Sequence, residues 1–343
     1  MTDTANSDSH SEESVDVWPD YFCRNKQQLQ MFNMQLRKKV LFMIFLAMVF
    51  MILIVFQLRI STVTNDDQFS EYKQKYYIDG LNSWYNYSSS TSEDLNLPSV
   101  HMDDPRVISR IRRKFIVSPS PQAVPYKLDK PLLFDTSMGQ AEKIISILKQ
   151  QREGFFIECG ALDGETRSNT LVFERHLNWS GLLIEADPLN FAKMVTKNRK
   201  AYLSPTCLSI KPYPMMVSFK QAFNVGKISD NLPGYKEQGY VDVQCFPLYS
   251  YLLALNRTTV DYFSLDVEGN ELEVLRTIPF EKLDIRTLSV EYIHVEEGKD
   301  VLRKFMEKQG YTLHSEVTHD NNLANDFIFV KSSLAAELDA KLL

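Results

Sequence analysis

The chain has 343 residues, 44% of them hydrophobic and 12% aromatic, enough for one large domain with accessories or for two small domains. A formal net charge of -6 and the lack of a Lys/Arg-rich run with interleaved aromatics give no footprint for nucleic acid. Cys23, Cys159, Cys207 and Cys245 are too few and too scattered for a disulfide scaffold or zinc knuckle, and the six histidines show no paired ligand spacing, so no structural metal is expected.

Residues 1–39 are polar, acidic at first and basic at the end, and read as a disordered tail. Val40 to Leu58 is almost wholly apolar, broken only by Gln57. At about 1.5 Å per residue it reaches roughly 28 Å, close to the ~30 Å hydrocarbon core of a bilayer, so residues 40–58 are predicted to be one transmembrane helix. Arg24, Lys26, Arg37, Lys38 and Lys39 precede it, and only Arg59 follows closely. That bias keeps the N-terminus cytosolic and sends the rest of the chain to the lumen as a type II, single-pass membrane protein. Three acceptor sequons, at Asn86, Asn178 and Asn256, lie on the lumenal side. Residues 59–135, with the serine run Ser88 to Ser92, are assigned to a stem.

From residue 136 to 332 strands and helices alternate. Ser137 to Gln140 is predicted to be a capping box opening a helix through Ala141, Ile144 and Leu148. Gly154–Glu158 and Leu182–Glu185 read as strands, with a Ser168-capped helix between them. Asp187-Pro188 has the pattern of a helix start, an acidic cap before a proline. Further strands are expected at 201–203, 215–219, 241–246, 260–265, 288–292, 310–314 and 326–330, with helices at 247–255, from about 270, and at 301–308. The alternation predicts an α/β fold around a mostly parallel sheet, and the short last loop predicts an antiparallel C-terminal hairpin. Residues 333–343 form a C-terminal tail.

The chemistry concentrates at two strand ends. Phe155-Phe156-Ile157-Glu158 runs into Cys159-Gly160-Ala161-Leu162-Asp163-Gly164, and Leu182-Leu183-Ile184 runs into Glu185. A glycine-bearing turn that admits backbone close to a ligand, with an acid that can grip a ribose diol, suits a nucleoside cofactor. Asp163, Asn169 and Asp187 line the following turns. Asp266, Glu268 and Gly269 follow another buried strand. Asp266 can serve as a general base toward a hydroxyl, with Glu268 beside it, or can cap the next helix. Glu291 and His294 end a further strand and read chiefly as a polar pair. Cys207 and Cys245 are candidates for a disulfide in an oxidising lumen.

The turn Glu158-Cys159-Gly160-Ala161 and the run from Tyr262-Phe263-Ser264-Leu265-Asp266-Val267-Glu268-Gly269-Asn270 to Leu275 resemble the FkbM-type methyltransferase domain over about residues 136–332. The resemblance implies a Rossmann-like class I methyltransferase sheet and S-adenosylmethionine as cofactor. It implies cofactor contacts from Glu158, Gly160, Ala161, Asp163, Gly164, Asn169, Glu185 and Asp187, with Asp266 and Glu268 at the acceptor. The turn lacks a second glycine two residues after Gly160, where Leu162 stands. Gly181-Leu182-Leu183-Ile184-Glu185 and Val243 to Tyr249, joined to the anchor, are similar to the Star-like group of membrane proteins. That likeness implies secretory-pathway trafficking of a transmembrane cargo protein, through the endoplasmic reticulum, Golgi and endosomes. The alternative is O-methylation of a sugar or small polar acceptor.

Overall fold

The structure is a computed structural model that describes residues 39–44, 46–51, 94–319 and 323–340. Two units are distinguished, Met1–Glu71 and Tyr72–Leu343. In the first, residues 39–44 and 46–51 are helical with exposed apolar side chains. Among the described residues no helix is long and apolar enough to cross a membrane. The rest of the expected span (residue 45 and residues 52–58), the tail before residue 39, the stem up to residue 93 and the sequon at Asn86 lie outside the described residues.

The second unit is built on a seven-stranded sheet. Its strands are β1 (Phe155–Cys159), β2 (Ser180–Ile184), β3 (Tyr202–Ser204), β8 (Thr259–Leu265), β9 (Asp284–Glu291), β10 (Tyr311–Thr318) and β11 (Asn325–Lys331), in spatial order β10-β11-β9-β8-β1-β2-β3. The five strands from β9 to β3 run parallel; β11 is antiparallel to both β9 and β10. The expected closing hairpin is therefore present. Side chains alternate across the sheet, so each strand feeds two cores. Ile157, Ile184, Phe263, Leu288 and Phe329 face one, and Phe156, Leu183, Tyr262 and Ile328 the other.

Helices cover both faces. α2 (Gln140–Ile147), α3 (Leu171–Leu177) and α4 (Pro188–Thr196) bury Ile144, Phe173 and Phe191 on the Phe156 side. α5 (Leu248–Ala254), α6 (Glu271–Arg276) and α7 (Lys299–Lys308) bury Leu252, Leu272 and Leu302 on the other. α8 (Ser332–Ala340) closes the described chain.

Three differences from the sequence reading have physical causes. The segment assigned to the stem contains α1 (Pro105–Arg110), continued by a π-turn through Phe115. Val107, Ile111 and Phe115 are buried in the sheet's core, so this stretch belongs to the domain. The cap of α2 is Gly139 at φ +112°, not Ser137, although the Ser137 hydroxyl accepts from Ala141 N at 3.2 Å. The strands expected at 215–219 and 241–246 do not join the main sheet. With β4 (Cys207–Leu208) and β6 (Lys227–Ile228), β5 (Met215–Lys220) and β7 (Tyr240–Phe246) form a second sheet of order β4-β7-β5-β6. Cys207 and Cys245 sit opposite each other in its register and are joined as a disulfide.

Candidate functional site

Four strand ends open a common space. A cavity of about 400 Å³ lies at the carboxyl ends of β1, β2, β8 and β9, walled on one side by the second sheet through Cys207, Phe219 and Ile228. Ligands in open α/β sheets sit at this end, where the turns diverge. Its floor is a polar lane on the Phe156 face. Glu158 pairs in register with Ser264, and Ser264 with Ser289; Glu291 lies two residues beyond Ser289 on the same face. Tyr262 Oη and Ser289 Oγ are 2.7 Å apart, and Asn169 Nδ2 donates to Ser264 Oγ at 3.0 Å.

Of the residues expected to hold a cofactor, Glu158, Gly160, Asn169 and Glu185 line this cavity; so do Asp266 and Glu268. Glu158 accepts from Asn169 N at 2.7 Å, from Ser168 Oγ at 2.8 Å and from Thr170 Oγ1. It holds the loop before α3 in place, and burial raises its carboxyl above the usual range despite nearby Arg199. Glu185 accepts from Leu162 N at 2.7 Å and Asp187 N at 2.8 Å. Burial first, and then the charge of Asp187, push it up to about 8.

The other four take structural places outside the cavity lining. Ala161 is buried, its N–H donating to the Ile184 carbonyl at 3.2 Å. Asp163 closes its own turn, accepting from Glu165 N at 3.0 Å and Thr166 N at 2.7 Å. Gly164, at φ +75°, packs where a Cβ would stand 2.8 Å from Met194 Cγ. Asp187 caps α4 by accepting from Leu189 N at 2.8 Å, and burial raises its carboxyl as well.

Gly160 also answers to a protein contact. At φ +82° a Cβ there would lie 1.9 Å from the Asp266 carbonyl oxygen, so the turn is glycine because β1 and β8 converge beneath it. Leu162 occupies φ +51°, and its side chain borders the cavity.

The far side of the cavity is acidic. Asp266 is raised to about 6, by burial against the opposing charge of Arg167, and one of its oxygens lies within 4.8 Å of one on Glu291. Glu268 is raised to about 8 by burial and then by Asp266. Burial and the neighbouring carboxylates Asp266 and Glu268 hold Glu291 well above the carboxylate range. Glu271 is turned into the loop, accepting from Val267 N at 2.8 Å and Gly269 N at 3.1 Å. His294 Nδ1 lies 3.1 Å from both Glu268 Oε2 and Glu291 Oε2.

Sequence reasoning missed Arg199 and Arg167. Arg199 is 1% exposed, pairs with Glu174 at 3.0 Å and donates to the Gly164 carbonyl and, at 3.3 Å, to Ser168 Oγ. It pins the loop that Glu158 holds from below. A basic residue in the loop between α4 and β3 gives no sign of burial, so no sequence signal could have found it. Arg167 borders the cavity at φ +56°.

Residues 158–313 match the methyltransferase FkbM domain family. The matched segment runs from Glu158 at the end of β1 to Leu313 in β10, and so spans the cavity and both acidic strand ends. No curated protein matches the chain. Among solved structures, an FkbM methyltransferase from Methylobacillus flagellatus KT is 13% identical, with a TM-score of 0.35 over 52% of this chain and 43% of that one. The chain thus spans less than half of that relative's length. A methyltransferase from Pyrococcus furiosus is 15% identical over 56% of this chain and 82% of its own, at a TM-score of 0.32. The S-adenosylmethionine-bound magnesium protoporphyrin IX methyltransferase of Synechocystis PCC 6803 is 10% identical over 57% and 80%, at 0.31. Similarities this distant carry no argument about chemistry; the family match and the mixed α/β sheet make the domain methyltransferase-like.

Proposed function

We propose that the cavity binds S-adenosylmethionine and that the domain methylates an oxygen of a sugar or other small polar acceptor. One observation carries this reading: Glu158, Gly160, Asn169, Glu185 and Asp266 converge on a single cavity at the carboxyl ends of three parallel strands, within the FkbM-matching segment. The residues fit the group in size and in donor set. The cavity falls in the range of cofactor sites, about 300–1,000 Å³. Each oxygen of Glu185 receives one backbone N–H, and the carboxyl borders the cavity where ribose hydroxyls would meet it. Ile184, Ala186 and Phe219 offer apolar surface for a purine.

When bound, the cofactor supplies a methyl group on a positively charged sulfur. The chain's part is orientation and proton handling. Glu158 and Arg199 fix the loop that presents Asn169. Asp266 stands where an acceptor hydroxyl can give up its proton, with Glu268 beside it.

A second reading, cargo trafficking without catalysis, draws support from how fully Glu158 is occupied: its carboxylate already holds three internal donors. In that reading the pocket is a structural remnant, and the Star-like likeness applies. Both readings place the domain in the lumen behind a type II anchor. The buried disulfide suits an oxidising compartment, and Asn178 and Asn256 are exposed.

Calorimetric titration of the chain with S-adenosylhomocysteine, beside Glu185→Ala, tests the choice. Saturable binding that the variant loses supports methyl transfer. No binding at millimolar ligand leaves the trafficking reading. A glycosidase-sensitive mobility shift absent from Asn178→Gln supports the lumenal side; an unglycosylated chain from a secretory host removes that support.

A further inference from the structure

We propose that Glu268, Glu291 and His294 hold a divalent first-row metal cation at the acceptor side of the cavity. The three side chains come from the loop after β8, the end of β9 and the turn beyond it. Their ligand atoms all lie within 4.8 Å of one another. His294 Nδ1 is 3.1 Å from an oxygen of each glutamate. Metal–ligand bonds of about 2.1 Å place neighbouring ligand atoms about 3 Å apart, so the imidazole already sits at coordination spacing from both carboxylates. One imidazole with two carboxylates is a donor set for ions such as Mn²⁺ or Zn²⁺, whereas Ca²⁺ and Mg²⁺ favour oxygen alone.

A second observation points the same way. Asn169 is 8% exposed and borders the same cavity, and its Oδ1 has no hydrogen-bond partner. Its amide nitrogen donates to Ser264 Oγ at 3.0 Å, near the carboxyl end of β8 and two residues before Asp266. A buried acceptor without a partner in the wall of the same cavity is the kind of group that a cation, or a donor on a bound ligand, satisfies once the amide turns toward it. Asp266 stands behind the triad with a carboxylate oxygen within 4.8 Å of one on Glu291, the place of a group that orients a metal ligand.

The cation would hold an acceptor's oxygen in the cavity, which selects acceptors with two adjacent oxygens, such as diols. That role rests on the methyl-transfer reading; the site itself does not.

The test is Mn²⁺ titration of the full chain, followed by loss of the free-ion electron paramagnetic resonance signal. The expected result is one tight equivalent, weakened at least tenfold in His294→Ala and lost in Glu291→Gln. His294 is half-exposed, so its variant folds independently of the outcome. A free-ion signal undiminished at millimolar protein and Mn²⁺, or equal affinity in His294→Ala, overturns the site. S-adenosylhomocysteine titrated into the same samples separates the two proposals. Its binding without Mn²⁺ sinks the metal site alone, whereas Mn²⁺ binding without it sinks methyl transfer and leaves the site standing.

Discussion

Gly160 shows how one residue can satisfy two demands. Its left-handed backbone suits a ligand turn, yet the atom a side chain would strike first is the Asp266 carbonyl, 1.9 Å away. Gly160→Ala should therefore destabilise the domain by about 3 kcal/mol, from left-handed strain and overpacking together. Urea denaturation measures this, and a loss under about 1 kcal/mol would show that β1 and β8 can part. Arg199 makes the converse point. With its charge buried against Glu174, Arg199→Ala leaves an unpaired buried carboxylate and should cost about 3–5 kcal/mol. The same denaturation experiment, run beside Glu174→Gln/Arg199→Met, should show the double variant recovering part of the loss.

At the scale of elements, what could be read in the sequence was what is local. Asp187-Pro188 opens α4 as its pattern says, because a cap and a fixed proline φ act within one turn. The glycine cap of α2 is local too, but Ser137 and Gly139 both offer a start, and the left-handed backbone at Gly139, φ +112°, is the one a glycine takes without strain. Met215–Lys220 and Tyr240–Phe246 have ordinary strand patterns, which do not encode a sheet partner. Their pairing is settled by contacts across twenty to thirty residues, closed by Cys207–Cys245. Removing that link with Cys207→Ser/Cys245→Ser should cost about 3 kcal/mol, by freeing the unfolded chain across its 38-residue separation. Because Cys207, Phe219 and Ile228 form a cavity wall, the same variant should loosen ligand binding more than it shifts the melting of the main sheet. Hydrogen exchange confined to β4–β7 would check this.

Across the whole molecule the buried acids set the response to pH. Glu185 is raised from 4.5 to about 8, and burial raises Glu158 and Asp187 as well. The folded chain keeps protons there that the unfolded chain releases above about pH 4.5. This contribution to stability is full below that pH and is lost as the pH climbs through about 8. With a chelator present, unfolding free energy should fall by about 2–4 kcal/mol between pH 5 and pH 9; a flat or rising profile by chemical denaturation would contradict it. The sequence by itself determined the alternating α/β order, the antiparallel closing hairpin and the acids at strand ends. Each follows from side-chain period and short loops, which act over a few residues. Only the tertiary structure decided which acids share a cavity, that Asp163 and Gly164 serve their own turn, and that residues 105–115 belong to the core. It alone set Glu268 beside the Glu291–His294 pair, since parallel strands bring together ends that lie a crossover apart in the chain, a distance no local spacing rule can span.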